Sequence, residues 1–137
     1  MISQQKKLYK KEYAQELLCI AQGDLESASV LLKSQYGRKE NCLYMIQQSV
    51  EKSIKSVLIF EEIAFPLVHD LGALIALLPE DKTPPGGFDL IALNPYASIR
   101  RHEQGSVELS ADEMQTANQS SVAVVQWAQA IIKTNGE

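Results

Sequence analysis

The sequence predicts an all-α fold, an up-and-down helical bundle of four main helices with one short extra helix. Three observations indicate it: long stretches with apolar residues at helical spacing, one clear segment of helix-breaking residues, and no convincing stretch of alternating apolar and polar residues. A chain of 137 residues is long enough to form one hydrophobic core without disulfides. We therefore expect residues 1–137 to be a single domain.

The first two predicted helices are long and amphipathic. Apolar residues recur at helical spacing from Ala14 to Leu32, and Gly37 marks the end of this helix. The second helix is expected from about Asn41, as its N-cap, to about Glu62, shortly before a proline. Because the connection is short, the two helices should form an antiparallel hairpin.

The segments after the second helix are shorter. Asp70 is the expected N-cap of a helix over 71–78, which a proline ends. Residues 79–87 contain three prolines and two glycines, and they predict a surface loop. A short helix is expected over 88–94, followed by an irregular region over 95–109.

The last helix has the clearest start signal. Ser110 and Glu113 have the spacing of a capping box, in which a hydroxyl and a carboxylate satisfy each other's backbone N–H groups. The expected buried stripe consists of Met114, Ala117, Ser121, Val125, Ala128 and Ile132.

Composition and charge narrow the class of protein. The net charge of −4 argues against a protein that binds nucleic acid through its overall field, although a local basic patch remains compatible with it. The four lysines at positions 6, 7, 10 and 11 predict a solvated helix start, with an RNA or partner contact as the alternative. Cys19 and Cys42 lack zinc-ligand spacing and are expected to be small buried residues.

The predicted location is the cytoplasm. No apolar run approaches the roughly 20 residues of a membrane span, and the N-terminal residues lack the apolar core of a signal peptide. With only two histidines, and without a repeated Glu-x-x-His pattern or a glycine-rich phosphate loop, we expect no metal and no cofactor.

The second predicted helix carries the most informative residues. Its apolar residues continue a buried stripe, while Gln48, Glu51, Lys52 and Lys55 fall on an adjoining face that is able to bind an anion. The structural alternative is an ordinary solvated face, in which Glu51 and Lys55 form a surface ion pair at i, i+4.

Four short segments occur in order along nearly the whole chain: Ala21–Ala28 (AQGDLESA), Gln48–Lys55 (QSVEKSIK), His69–Leu71 (HDL) and Leu93–Tyr96 (LNPY) before Arg100. Together they resemble the HEPN domain family. The resemblance implies a helical bundle that forms a homodimer, often beside a minimal nucleotidyltransferase as a toxin-antitoxin pair. Members of the family also resemble the helical substrate-binding domain of aminoglycoside nucleotidyltransferases.

The same family contains metal-independent ribonucleases, whose signature places a histidine four to six residues after an arginine. Neither His69 nor His102 has an arginine at that distance, and Arg100-Arg101-His102 has the wrong spacing. A catalytic histidine must reach its proton at hydrogen-bond distance while the partner arginine contacts the phosphate. The missing spacing therefore argues against the hypothesis that this chain is a ribonuclease.

We expect one cleft to collect the ligand-binding residues, with lysine and arginine side chains on phosphate oxygens. The predicted set is Asp24, Gln48, Glu51, Lys52, Lys55, His69, Asp70 and Arg100. Asp24 lies in mid-helix and is expected to be paired with Lys52, Lys55 or Arg100. For His69 the alternative is a local hydrogen-bonding role.

Three functions remain open from the sequence. The first is a non-enzymatic, dimeric binding module for a nucleotide-like or RNA ligand, a nucleotidyltransferase partner, or both. The second is a divergent ribonuclease that uses Arg100, Arg101 and His102. The third is a helical scaffold or dimerisation domain.

Overall fold

The computed structural model describes residues 5–34, 37–97 and 109–136, with side chains as far as Lys133. The elements are three long α-helices, α1 (Tyr13–Lys33), α2 (Lys39–Phe60) and α4 (Ala111–Gly136), the short helix α3 (Leu71–Ile75), and 3-10 helices at Glu80–Lys82 and Gly87–Ala97. The predicted all-α helical bundle is confirmed.

Helices α1 and α2 form the predicted antiparallel hairpin. Near the connection, the Cys42 thiol donates to the carbonyl of Ala28 at 3.4 Å, and farther along Lys52 contacts Asp24. Gly37 lies in the connection with φ of 100°, a left-handed conformation that favours glycine. Helix α1 itself ends at Lys33, four residues before this glycine.

Helix α4 runs antiparallel to α1 and therefore parallel to α2. One groove at the start of α4 is lined by Ala111 and Met114 together with Leu31 of α1, whereas a groove farther along is lined by Val122 and Leu25. Met114, Val124, Ala128 and Ile132 of α4 belong to the hydrophobic core that α4 shares with the other helices.

Helix α2 lies at the centre of this bundle. It contacts α1, α3, α4 and the 3-10 helix Gly87–Ala97, and 16 of its 22 residues are buried. A helix face that is covered by neighbouring elements cannot be solvated. The solvated-face alternative is therefore wrong for Gln48 and Glu51, which are 7% and 3% exposed.

A two-residue antiparallel ladder joins the N-terminus to the segment after α2, which the sequence did not predict. Lys6 pairs with Pro66 and Lys7 with Phe65. Residues 5–12, which we call the N-terminal strap, are thus not the start of a helix as predicted, because α1 begins only at Tyr13. A ladder of this length is too short to show an alternating pattern.

Several predicted boundaries need correction. Helix α2 begins at Lys39 with Arg38 as its N-cap, three residues before the predicted Asn41. Helix α3 ends at Ile75, and the predicted loop over 79–87 contains a 3-10 turn. The helix expected over 88–94 is an 11-residue 3-10 helix that continues through Pro95, which lacks the N–H needed for an α-helix interior.

The capping box of α4 is confirmed. The Ser110 N–H donates to Glu113 Oε1 at 3.0 Å, and the Glu113 N–H donates to Ser110 Oγ at 3.1 Å. Hydrogen bonding of the carboxylate with the backbone and the side chain of Ser110 stabilises its ionised form and lowers the pKa of Glu113. The predicted stripe of α4 is buried except for Ala117, which is partly buried.

The two cysteines differ in exposure. Cys42 is buried as predicted, and burial raises the pKa of its thiol. Cys19 is exposed, so the prediction that both are buried is wrong for this residue. Within the described residues, no helix combines the length and the apolar character needed to cross a bilayer.

Glu62 has φ of 59°, the left-handed region, just after the end of α2. The Ile63 N–H donates to the carbonyl of Leu58 at 2.9 Å, the long hydrogen bond of a helix end that normally uses glycine at this position. We expect Glu62→Gly to raise the free energy of unfolding by about 0.5 to 1 kcal/mol, since it relieves left-handed strain. Urea unfolding at neutral pH measures this change.

Glu61→Gly is the matched control, because Glu61 is the neighbouring residue and has φ of −83°. Glycine there relieves no strain and adds backbone entropy to the unfolded chain, so stability should fall by up to about 1 kcal/mol. A change of the same sign in both variants would contradict the assignment of strain to Glu62.

Candidate functional site

A buried carboxylate, Glu51, organises the polar residues of α2. It receives hydrogen bonds from Lys55 Nζ at 2.8 Å and from Gln47 Nε2 at 2.9 Å, and His69 Nδ1 lies 3.0 Å from Oε1. Gln48 Nε2 in turn donates to Gln47 Oε1 at 2.7 Å. We call these five residues the Glu51 network.

The Glu51 network determines the charge of its central residue. Burial by itself would raise the pKa of Glu51, but the hydrogen bonds from Lys55 and Gln47 and the positive charges of Lys55 and His69 outweigh burial, so the pKa is lowered. Glu51 is therefore ionised at neutral pH. Its charge is matched chiefly by Lys55, whose side chain is 14% exposed.

His69 is the exposed end of the Glu51 network. Its side chain is 67% exposed, while Nδ1 contacts both carboxylate oxygens of Glu51, at 3.0 and 3.2 Å. Because an ionised carboxylate only accepts hydrogen bonds, Nδ1 carries the proton in this contact. The buried carboxylate thus orients the ring, and Nε2 takes no part in the contact.

Lys52 belongs to a separate ion pair. Its Nζ lies 2.6 Å from Asp24 Oδ2, and the two side chains are 26% and 17% exposed. The expectation that Asp24 is partly buried and paired is confirmed, with Lys52 as its partner. The positive charge of Lys52 is largely matched within the fold.

Asp70 has a structural role, and its predicted N-cap position is confirmed. Its Oδ1 accepts hydrogen bonds from the N–H of Gly72 and from Asn94 Nδ2, both at 3.0 Å, while Asn94 Oδ1 accepts the N–H of Leu71 at 2.9 Å. This reciprocal pair fixes α3 to the 3-10 helix Gly87–Ala97. Asp70 is adjacent to His69 in sequence but does not join the Glu51 network.

The structure thus brings together four of the eight predicted site residues, Gln48, Glu51, Lys55 and His69. Asp24 and Lys52 form a second pair, and Asp70 caps α3. Arg100 lies outside the described residues, as do Arg101 and His102 of the alternative ribonuclease site. Among the described residues, the predicted site residues therefore do not form one cleft lined by unpaired cations, because Lys52 and Lys55 are each paired with a carboxylate.

Sequence reasoning missed two connecting amides, Gln47 and Asn94. Gln47 is fully buried and lies four residues before Glu51, so the i, i+4 spacing of Gln47, Glu51 and Lys55 was a signal for one shared face. Asn94 was noted only as part of a resemblance. Its contact with Asp70, 24 residues away, has no local sequence signal.

The N-terminal strap lies next to the Glu51 network. The Tyr9 ring stacks on Phe65 at 5.4 Å between centroids and on Tyr13 at 5.6 Å. Phe65 is 1% exposed, and Lys55 Nζ lies 6.0 Å from its ring centroid. A continuous set of contacts therefore runs from the strap through Phe65 to Lys55, Glu51 and His69.

The strap lysines are partly ordered by aromatic rings. Lys7 Nζ lies 4.8 Å from the Tyr9 ring centroid, and Lys11 Nζ lies 4.6 Å from that of Phe60. Both distances are typical of cation–π contacts. Lys6 and Lys10 are exposed on the same strap.

Metal ligands are not grouped in the described part of the chain. Among these residues, no set of three or more histidine, cysteine, aspartate and glutamate side chains lies close enough to hold an ion.

A comparison with sequence models of protein families decides the family. The model of the HEPN domain matches residues 14–131, which include all but the first residue of α1, all of α2 and α3, and most of α4. The chain belongs to the HEPN domain family. No curated protein and no solved structure shows significant similarity to it.

Membership of the HEPN domain family agrees with the bundle and with the segments that carry the resemblance. The match does not distinguish branches of the family. A homodimer, a minimal nucleotidyltransferase partner and a toxin-antitoxin role therefore stay predictions of the resemblance.

Proposed function

We propose that this HEPN domain is a non-enzymatic binding module that recognises an RNA or nucleotide-like ligand on the surface formed by the N-terminal strap and His69. One observation carries the proposal: a strap with four lysines packs on Phe65, and Phe65 contacts the Lys55 end of the Glu51 network, whose exposed end is the oriented imidazole of His69. Lysine donates charge-assisted hydrogen bonds to phosphate oxygens, and an imidazole whose Nδ1–H is bound to a carboxylate donates to phosphate from Nε2 when that nitrogen also carries a proton.

Charge distribution supports this surface. The first eleven residues contain four lysines and no acidic residue, although the chain has a net charge of −4. The four lysines lie at the end of the bundle where α1 begins and α2 ends, an end that also carries Glu12, Glu16, Glu61 and Glu62. A local group of cations can attract a polyanion even when the overall charge is negative.

The strap is also ordered before a ligand arrives. Its two-residue ladder with Phe65–Pro66 and the stacking of Tyr9 hold the backbone near the core. Binding then costs less conformational entropy than it would with a free tail. Leu8, which is 61% exposed, lies between the two lysine pairs and offers apolar surface to a base.

Lys52 and Lys55, which the sequence predicted to bind the ligand, stabilise the fold in this proposal and do not contact phosphate. Lys52 and Lys55 each hold a carboxylate of the protein at 2.6 and 2.8 Å. Releasing either one to a phosphate would leave Asp24 or Glu51 without its partner, which is costly in a mostly buried position. We therefore assign the phosphate contacts to the strap lysines and to His69.

The proposal predicts a salt-dependent affinity for RNA. Fluorescence anisotropy of a labelled single-stranded RNA of about 12 nucleotides, within the usual site sizes of such surfaces, measures binding at several salt concentrations. For Lys6→Gln with Lys10→Gln, we expect the slope of log affinity against log salt to fall by about 1.4, since each phosphate contact contributes roughly 0.7. Lys7 and Lys11 are left unchanged because they also pack on rings.

The matched control is Lys33→Gln with Lys39→Gln, which removes two lysines at the opposite end of the hairpin. This pair should leave the slope nearly unchanged, while His69→Ala should weaken binding about tenfold, the effect of one charge-assisted hydrogen bond. Equal slopes in both double variants would show a diffuse charge effect and contradict the proposal, as would full affinity in His69→Ala.

Recovery of intact RNA from the same samples tests whether the protein cleaves RNA. We expect no cleavage by the wild-type protein. Cleavage that disappears in His102→Ala would replace this function with the ribonuclease alternative.

A further inference from the structure

A second surface, on the other side of the 3-10 helix Gly87–Ala97, has the opposite chemistry. A groove of about 440 Å³ lies between this 3-10 helix and the first turns of α4. Its volume is within the range of small-molecule sites in proteins. None of the residues of the Glu51 network or the strap lines it.

The floor of the groove is apolar and belongs to the core. Leu90 and Leu93 are 4% and 7% exposed, and Ala117 is partly buried on α4 opposite them. Tyr96 and Leu109 also pack on the core and line the same groove. Because these side chains are anchored in the bundle, the groove is preformed.

The charged residues that line the groove are all acidic. Asp89 comes from the 3-10 helix, and Asp112 and Glu113 come from the first turn of α4; no described lining residue is lysine or arginine. Lys39 reaches Leu109 through a hydrogen bond of 3.1 Å to its carbonyl but is not a lining residue. Burial and, to a smaller extent, the charge of Glu113 raise the pKa of Tyr96.

We propose that this groove binds a small organic cation, a protonated amine on an apolar body. The apolar part would lie on Leu90, Leu93 and Ala117, and the ammonium group would be hydrogen-bonded by Asp89 and Asp112 at the rim. A neutral ligand would leave the carboxylates unused, and an anionic ligand would be repelled. Glu113 adds charge but remains the capping residue of α4.

Three probes that share an aromatic body test this assignment: phenethylamine, phenethyl alcohol and hydrocinnamate. Amide NMR titration of the full chain gives the affinities and the position of binding. We expect the amine to bind about tenfold more tightly than the alcohol, the effect of one charge-assisted hydrogen bond, and the carboxylate to bind least. The largest shift changes should map to Leu90, Tyr96 and Ala117.

Two variants distinguish the contribution of the carboxylates to ligand affinity from that of the apolar cavity. Asp89→Asn with Asp112→Asn should remove the preference for the amine over the alcohol, and Ala117→Leu should weaken both by filling the groove. Glu12→Gln with Glu16→Gln, which removes two exposed carboxylates at the start of α1, is the matched control and should preserve the preference.

Equal affinities of amine and alcohol, or shift changes that persist in Ala117→Leu, would overturn the proposal. The connection between the 3-10 helix and α4 contains Arg100 and Arg101 in sequence. Binding of the amine only after both are replaced by alanine would also overturn it, because the carboxylates would then serve the chain's own arginines.

Discussion

Glu51→Ala is expected to lower the free energy of unfolding by about 3 kcal/mol, a large loss for one polar residue. The substitution leaves Lys55, which is 14% exposed, and the fully buried amide of Gln47 without their acceptor. It also releases His69 from the contact that orients it. The cost arises mainly from the partners left behind rather than from the lost carboxylate.

A second variant separates these two contributions. Glu51→Leu with Lys55→Met removes both charges and keeps apolar volume, so it should cost less than Glu51→Ala alone. Chemical unfolding of the wild type and the two variants measures the difference. A double variant as unstable as Glu51→Ala would contradict the view that an unpaired lysine causes the loss.

The same residue makes stability depend on pH. Because the pKa of Glu51 is lowered in the folded state, the unfolded chain binds more protons in the acidic range, and stability rises with pH there. The contribution is complete above the ordinary glutamate pKa of about 4.3 and is lost as pH falls toward the lowered value. The stability difference between wild type and Glu51→Gln should therefore narrow on acidification below pH of about 4.3.

Local signals in the sequence predicted much of the fold. The capping box of Ser110 and Glu113 and the N-cap of Asp70 each depend on residues within three positions, and both form as expected. Helical spacing gave the long helices and the hairpin. Their ends were less certain because a single side chain, such as Asn41, does not determine which residue caps a helix.

The polar stripe of α2 shows where local reasoning ends. Spacing placed Gln48, Glu51, Lys52 and Lys55 on one face, but only the packing of α1, α3 and the 3-10 helix around α2 determines that this face is covered. Covered charges must be paired within the fold. The side chains expected to hold a ligand therefore hold each other, as in the pairs of Glu51 with Lys55 and Asp24 with Lys52.

The strap was missed for a related reason. Its ladder pairs Lys7 with Phe65, 58 positions apart, and neither segment has an apolar–polar periodicity that predicts the pairing. The lysines were visible in the sequence, but their position beside the segment Phe65–Pro66 depends on this long-range contact. The surface that we propose to bind RNA is thus the part of the fold that local sequence patterns predict least.

Phe65 is the residue that holds the strap, and Phe65→Ala is expected to lower the free energy of unfolding by about 3 to 5 kcal/mol. The ring is 1% exposed and stacks on Tyr9 at 5.4 Å, so truncation leaves a cavity and removes an aromatic pair. Loss of this contact should also free the strap from the core. Trypsin should then cleave at Lys6, Lys7 and Lys10 faster than in the wild type.

Phe88→Ala makes the same truncation on a ring that is 57% exposed, and it should change stability by no more than about 0.5 kcal/mol. If Phe65→Ala does not fold, Phe65→Leu keeps most of the apolar volume while removing the stacking with Tyr9, and faster cleavage of its strap can be measured on folded protein. Equal stability losses at positions 65 and 88, or a strap that stays protected in Phe65→Leu, would contradict the role of this ring. Because the proposed RNA surface depends on an ordered strap, Phe65→Leu should also weaken RNA binding although it removes no charge.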